Sequence, residues 1–126
     1  MYLIQLLYIN IYYLYIRMDY RLQPENDNGN CEYKRYLVNL NEYRLEKLIT
    51  QMKWRLVEGN NEAIYYLGVN DNGTLYNWTK KEQQETMKNF RILLNKNNAI
   101  ITDFNKINSY FKIKIKKLDY PNNYLF

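Results

Sequence analysis

Residues able to do chemistry are few in this sequence and poorly grouped. It has no histidine, and its one cysteine, Cys31, stands without a second thiol nearby. A histidine acid–base pair, a Ser-His-Asp triad, a Cys/His zinc site and a disulfide framework are thereby excluded. Cys31 reads as a reduced, inert thiol. Glu58, Glu62 and Asp71 could pair for general acid–base work. Their spacing, however, is that of a helix end and two turns, where capping or solvated roles suffice. No Gly-x4-Gly-Lys-Ser/Thr string is present, and Gly59, Gly68 and Gly73 lack the spacing of a dinucleotide loop. No catalytic residue, cofactor or metal is expected, and the chain reads as a non-enzyme of the cytoplasm. The sequons at Asn72 and Asn77 matter only in a secreted chain.

Binding chemistry is what remains. Lys and Arg number 18 against 13 Asp and Glu, a net charge of +5 that suits an acidic partner without selecting one. Asn, Tyr, Lys and Ile make up nearly half of the chain, the mark of an A+T-rich coding sequence. Gly, Trp, Gln, Arg and Glu therefore carry more information than Tyr or Lys. Between 42 and 58, Leu45, Leu48, Ile49, Met52 and Leu56 share a narrow helical arc, which puts Trp54 opposite the core beside Tyr43, Arg44, Lys47 and Gln51. These residues, with Lys53 and Arg55, form a candidate docking surface for protein or RNA. The competing reading has the N-terminal arm or the last strand covering Trp54. Lys112, Lys114, Lys116 and Lys117 are candidate phosphate contacts, although lysine on a solvated or edge strand also discourages aggregation.

The elements that must position these residues can be read in order. Glu32 to Asn39 suits a strand. Asn41 caps the helix from Glu42 to Glu58, and Gly59 stops it. Ala63 to Asn70 and Leu75 to Trp78 flank Asp71-Asn72-Gly73 as a hairpin whose Asn-Gly pair supplies positive backbone angles. Thr79 and Glu82 form a capping box opening a second helix to about Lys96, which buries Met87, Phe90, Leu93 and Leu94 and ends at Asn97 and Asn98. Ala99 to Phe104 is strand-like, and Tyr110 to Leu118 alternates apolar residues with lysines. The expected fold is α+β: a split βαβ, ferredoxin-like βαββαβ sandwich with one extra C-terminal strand and two helices on one face of an antiparallel sheet.

Three segments are expected: a hydrophobic extension and polar arm over 1–30, one α+β domain over 31–119, and a tail over 120–126. Residues 1–16 carry no charge. They fall short of the roughly 20 residues a membrane span needs and fit a signal peptide poorly. Starting instead at Met18 makes residues 1–17 an upstream readthrough or dispensable extension, followed by a flexible polar stretch containing Pro24 and Gly29. A membrane or partner anchor is the alternative, though a membrane partner is not expected.

The stretch from Glu32 to Leu75, with Tyr43-Arg44, Leu45-Glu46, Thr50-Gln51-Met52-Lys53-Trp54-Arg55-Leu56, Glu58-Gly59, Glu62-Ala63, Gly68-Val69 and Asp71-Asn72-Gly73, resembles the segment preceding the GTPase domain in the GTP-binding protein 1 and 2 family of elongation-factor-like translational GTPases. The resemblance extends over roughly Glu32 to Lys117. It implies a module attached to a ribosome-acting GTPase, with roles in GTP-dependent elongation and RNA surveillance. It carries over none of that family's GTP- or magnesium-binding residues. The expected partner is a GTPase core, a separately encoded one included, or the ribosome, with the chain a stand-alone, split or truncated module. A free-standing RNA-binding module and a degenerate gene fragment are the alternatives.

Overall fold

Two helices form where caps and apolar spacing demand them. The computed structural model describes residues 2–18 and 21–119, and it opens with a helix, α1 (Tyr2–Met18). Strand β1 (Cys31–Lys34) leads to α2 (Glu42–Glu58), where the Asn41 side chain accepts from the backbone N–H of Arg44 at 2.8 Å. After β2 (Glu62–Leu67), the Thr79–Glu82 capping box opens α3 (Lys80–Lys96), and Asn97 and Asn98 close it. The antiparallel pair β3 (Ala99–Ile107) and β4 (Tyr110–Lys117) completes the order. The tail expected over 120–126 lies outside the described residues.

The class is α+β, compatible with a ferredoxin-like sandwich: one four-stranded sheet in the order β1-β2-β4-β3, with α2 and α3 on one face. The split βαβ unit is β2-α3-β3, with β4 inserted between its two strands. Three details differ from expectation. The sheet is mixed, because β1 pairs in parallel with β2 across the α2 crossover. The strand expected over 75–78 is absent. Asn70 N–H still donates to Thr74 O at 2.9 Å to form a turn, and the return reaches as far as a Val69–Leu75 bridge and a Tyr76 N–H donating to Gly68 O at 2.9 Å, but from Leu67 back both edges of β2 are taken by β1 and β4, so the pairing extends no further. Trp78 is buried instead, its indole N–H donating to Ser109 O at 2.6 Å. The first strand is also shorter than read, because beyond Lys34 the backbone finds partners on α3. Leu37 N–H donates to the Thr86 hydroxyl at 3.0 Å, and Leu37 O accepts from Asn89 at 2.7 Å.

The main core lies between sheet and helices. Leu48, Met52 and Leu56 of α2, with Phe90, Leu93 and Leu94 of α3, pack on Tyr65 and Leu67 of β2 and on Phe111, Ile113 and Ile115 of β4. Met87, expected inside, packs only at the margin. A smaller cluster of Tyr33, Val69 and Tyr110 covers part of the other sheet face. Gly59 is needed for a reason other than a left-handed turn. Its φ is −103°, and the positive angles fall on Asn60 and Asn61. A Cβ there would lie 1.9 Å from Glu62 O and 2.6 Å from the Asn30 Cβ, so the close approach of two backbones excludes any side chain. Gly59→Ala is expected to cost more than about 2 kcal/mol in urea unfolding, because one clashing atom is main chain and cannot swing aside.

Candidate functional site

The outward side of α2 and the segment before β1 enclose an open groove of about 680 Å³. Its floor is an ion pair that neither partner's residue type predicts. Glu32, 1% exposed, shares the helix-facing side of the sheet with Tyr65, its register partner. Arg55 reaches it from α2, with Nε donating to Glu32 Oε2 at 2.6 Å. The remaining guanidinium donors bond main-chain oxygens: Nη1 to Gly29 at 2.8 Å and Asp27 at 3.3 Å, and Nη2 to Asn26 at 3.0 Å. Glu32 Oε1 pairs with Lys34 Nζ at 3.2 Å. Burial lowers the Arg55 pKa, but the hydrogen bond and charge of Glu32 outweigh it and hold the guanidinium above its ordinary value. Tyr65 lies under the same charges. Burial and the Glu32 carboxylate raise its hydroxyl, which has no hydrogen-bond partner among the described residues.

This arrangement corrects two expectations. Arg55 is 7% exposed and is no docking cation; it is the tie that holds residues 26–29 against the domain. The polar stretch from 21 to 30 is accordingly not a free arm. Leu22 N–H donates to Gly73 O and Glu25 N–H to Asp71 O, each at 2.7 Å, and the Tyr33 hydroxyl donates to Gln23 O at 2.8 Å. Strapped there, it covers Arg55 and leaves Trp54 63% exposed.

Of the other residues proposed from sequence, Arg44, Lys47, Gln51 and Trp54 line the groove together, with Glu58 at its far end. Tyr43 lies beside it, its ring beneath Lys47 Nζ at 4.6 Å. Lys53 is exposed on the opposite flank of α2 and lines no part of the groove. The lysine cluster divides. Lys112, Lys114 and Lys116 alternate along the open face of β4, whereas Lys117 faces the other way, opposite Ala99. β4 is an internal strand, so edge protection does not account for them. Acidic residues stand opposite two of the three in register: Glu62 across from Lys116 and Asp103 across from Lys114. The pairing of Glu32 and Arg55 had a faint sequence signal. Arg55 follows Leu48 by seven residues, at the margin of the apolar arc, and Glu32 lies in the buried phase of its strand.

Among the described residues no group of three His, Cys, Asp or Glu is placed to hold a metal ion, and no helix is long and apolar enough to cross a membrane. Over 81 residues, 64% of its length, this chain is 48% identical to GTP-binding protein 2 of Mus musculus and, equally, of Homo sapiens. It therefore carries a region related to GTP-binding protein 2. Over 78 residues it is also 33% identical to an uncharacterized protein of Acanthamoeba polyphaga mimivirus, covering 42% of that protein. The chain spans 14% of the length of the two GTP-binding protein 2 relatives. No family model and no solved structure matches it.

Glu25 lines the edge of the groove from the segment before β1. Burial pushes its carboxyl up to about 7, against the Tyr33 backbone N–H, which favours the charged form; Glu32 and Asp71 add to the rise. Arg55 Nη2, 3.9 Å away and already engaged elsewhere, does not reverse it. The folded protein then keeps a proton that the unfolded chain loses above 4.5, so stability is fullest below that value and falls as pH rises toward about 7. Glu25→Gln keeps an acceptor for Tyr33 and should flatten this slope when urea midpoints are compared across the window. An unchanged slope would assign the proton to another group.

Proposed function

We propose that the chain is a non-catalytic docking module of the GTP-binding protein 2 type, which positions a translational GTPase core, or binds a ribosomal surface, through the groove beside α2. Its place in a larger assembly would correspond to the segment that precedes the GTPase domain. Its contribution to GTP-dependent elongation or RNA surveillance is geometric. The observation that carries this reading is Trp54, standing 63% exposed over a groove whose floor is fixed by a buried ion pair. An exposed tryptophan on a rigid helix presents a large apolar area at little conformational cost, and Arg44 and Lys47 beside it supply charge for orientation. The 48% identity supports the same direction.

Purified chain mixed with a GTP-binding protein 2 core lacking its own related region should form a complex. Trp54→Ala should weaken that complex by about 2 kcal/mol, roughly thirtyfold, with the fold intact by circular dichroism. No binding, combined with no effect on GTP turnover, would remove the reading.

The row Lys112, Lys114 and Lys116 favours a second reading, RNA binding on the open sheet face, where Lys112 Nζ also lies 5.9 Å from the centre of the Tyr66 ring. Phosphate neutralisation releases counterions, so affinity for a single-stranded RNA should fall steeply with salt and drop further in Lys114→Ala/Lys116→Ala. Binding that is absent or insensitive to salt removes this alternative.

A further inference from the structure

Tyr43, Lys47, Thr50, Trp54 and Val57 recur along α2 at alternating steps of four and three residues, all exposed and on the side directly away from Leu48, Met52 and Leu56. Tyr43, Trp54 and Val57 are 68%, 63% and 58% exposed. A four-three alternation is the period of a seam between two packed helices. The residues flanking the seam are ordered by charge. One side runs Arg44, Gln51, Glu58, from positive to negative; the other runs Glu46 to Lys53, from negative to positive. Among the described residues none of these four charges is held in an ion pair.

A ridge with this charge order is complementary to itself when reversed. We propose that α2 pairs antiparallel with α2 of a second copy, about a two-fold axis at Thr50. In that arrangement Tyr43 meets Val57 of the second copy, and Lys47 lies over the ring of its Trp54. Arg44 faces the second copy's Glu58, and Glu46 faces its Lys53. Symmetry makes each contact twice, which is the signature of an isologous interface. A parallel pairing keeps only part of this: along its flanks Lys53 meets Glu58, but Glu46 meets Gln51.

The seam is about 21 Å long at 1.5 Å per residue, and two helices in contact over that length bury less than the roughly 1,200 Å² at the lower end of stable interfaces. The dimer is therefore weak and grows with concentration. This inference does not rest on the docking reading. Because Trp54 belongs to both surfaces, a docked partner and a second copy exclude one another.

Sedimentation of the full chain over a concentration series tests it. The wild type should show a monomer–dimer equilibrium. Lys53→Glu turns two attractive pairs into two repulsions and should weaken the dimer about tenfold or more. Glu46→Lys should do the same, and the double variant E46K/K53E, which exchanges the two charges, should return the dimer to wild-type strength. Both positions are exposed, and unchanged helical circular dichroism in each variant keeps folding out of the result. A wild type monomeric up to about 1 mM, where a contact of this size should already associate, would overturn the proposal. So would self-association that ignores the single reversals, as association through the apolar α1 would, or a double variant as weak as the singles. Lys53 lies outside the groove, so binding of K53E to a GTPase core scores the docking reading separately.

Discussion

The Arg55–Glu32 pair is the contact on which the rest of the site depends. It joins the two layers of the sandwich where a charged group from the sheet meets a charged group from α2, both out of water. A buried pair is weak evidence of net stability, since desolvation offsets much of the attraction. Breaking one is costly, about 3–5 kcal/mol, because the survivor is left charged and unpaired. Here the geometry favours retention. Arg55 spends its other donors on the carbonyls of Asn26, Asp27 and Gly29, and Glu32 shares its second oxygen with Lys34. Those carbonyls belong to a segment with no regular secondary structure, which would otherwise have to find water.

The consequence reaches the surface. Because Arg55 ties down residues 26–29, the segment lies alongside α2 and forms one wall of the groove without closing over Trp54. Gly59 belongs to the same device: its missing side chain lets the end of α2 meet Asn30 and the start of β2 at contact distance, keeping the last turn of the helix and the strap in register. The exposed ridge of α2 is thus held from below by the core and from one side by the strap. A surface fixed in this way loses little entropy when a partner covers it, which suits a recognition element better than an apolar patch on a mobile loop.

The helices were legible in the sequence because each of their signals is local. Asn41 and the Thr79–Glu82 box act on N–H groups within three residues, and the apolar arc from Leu45 to Leu56 needs no knowledge of what covers it. The absent strand over 75–78 illustrates the opposite case. Its turn signal is local, so Gly73 adopts φ of +91° and the turn closes with a Val69–Leu75 bridge, but how far the returning segment can pair depends on β4, a later element that occupies the edge of β2 from Leu67 back. The same holds for β1, cut short because Thr86 and Asn89 on α3 satisfy Leu37. Arg55 reads as an exposed cation in the sequence for a related reason. A charged side chain at the rim of an apolar arc reads as solvated unless a buried acid awaits it, and Glu32 carries that information in a different element.

The two basic surfaces singled out from sequence fall on opposite layers. The ridge around Trp54 looks away from the sheet, whereas Lys112, Lys114 and Lys116 project from the sheet face that the helices leave open. No single flat partner can cover both. Their electrostatic settings differ as well: the lysine row has Glu62 and Asp103 as cross-strand neighbours, so its field is partly neutralised at home, while among the described residues Arg44 and Lys47 have no such acid paired to them. Cross-strand pairs of this kind are worth a few tenths of a kcal/mol to the sheet and account for part of the lysine pattern without a ligand. On the α2 ridge the Tyr43 ring has Lys47 over it, but exposing Trp54 and Val57 on the same helical line has no such explanation within the monomer. Of the two surfaces, α2 is therefore the one with apolar area left for a partner to cover.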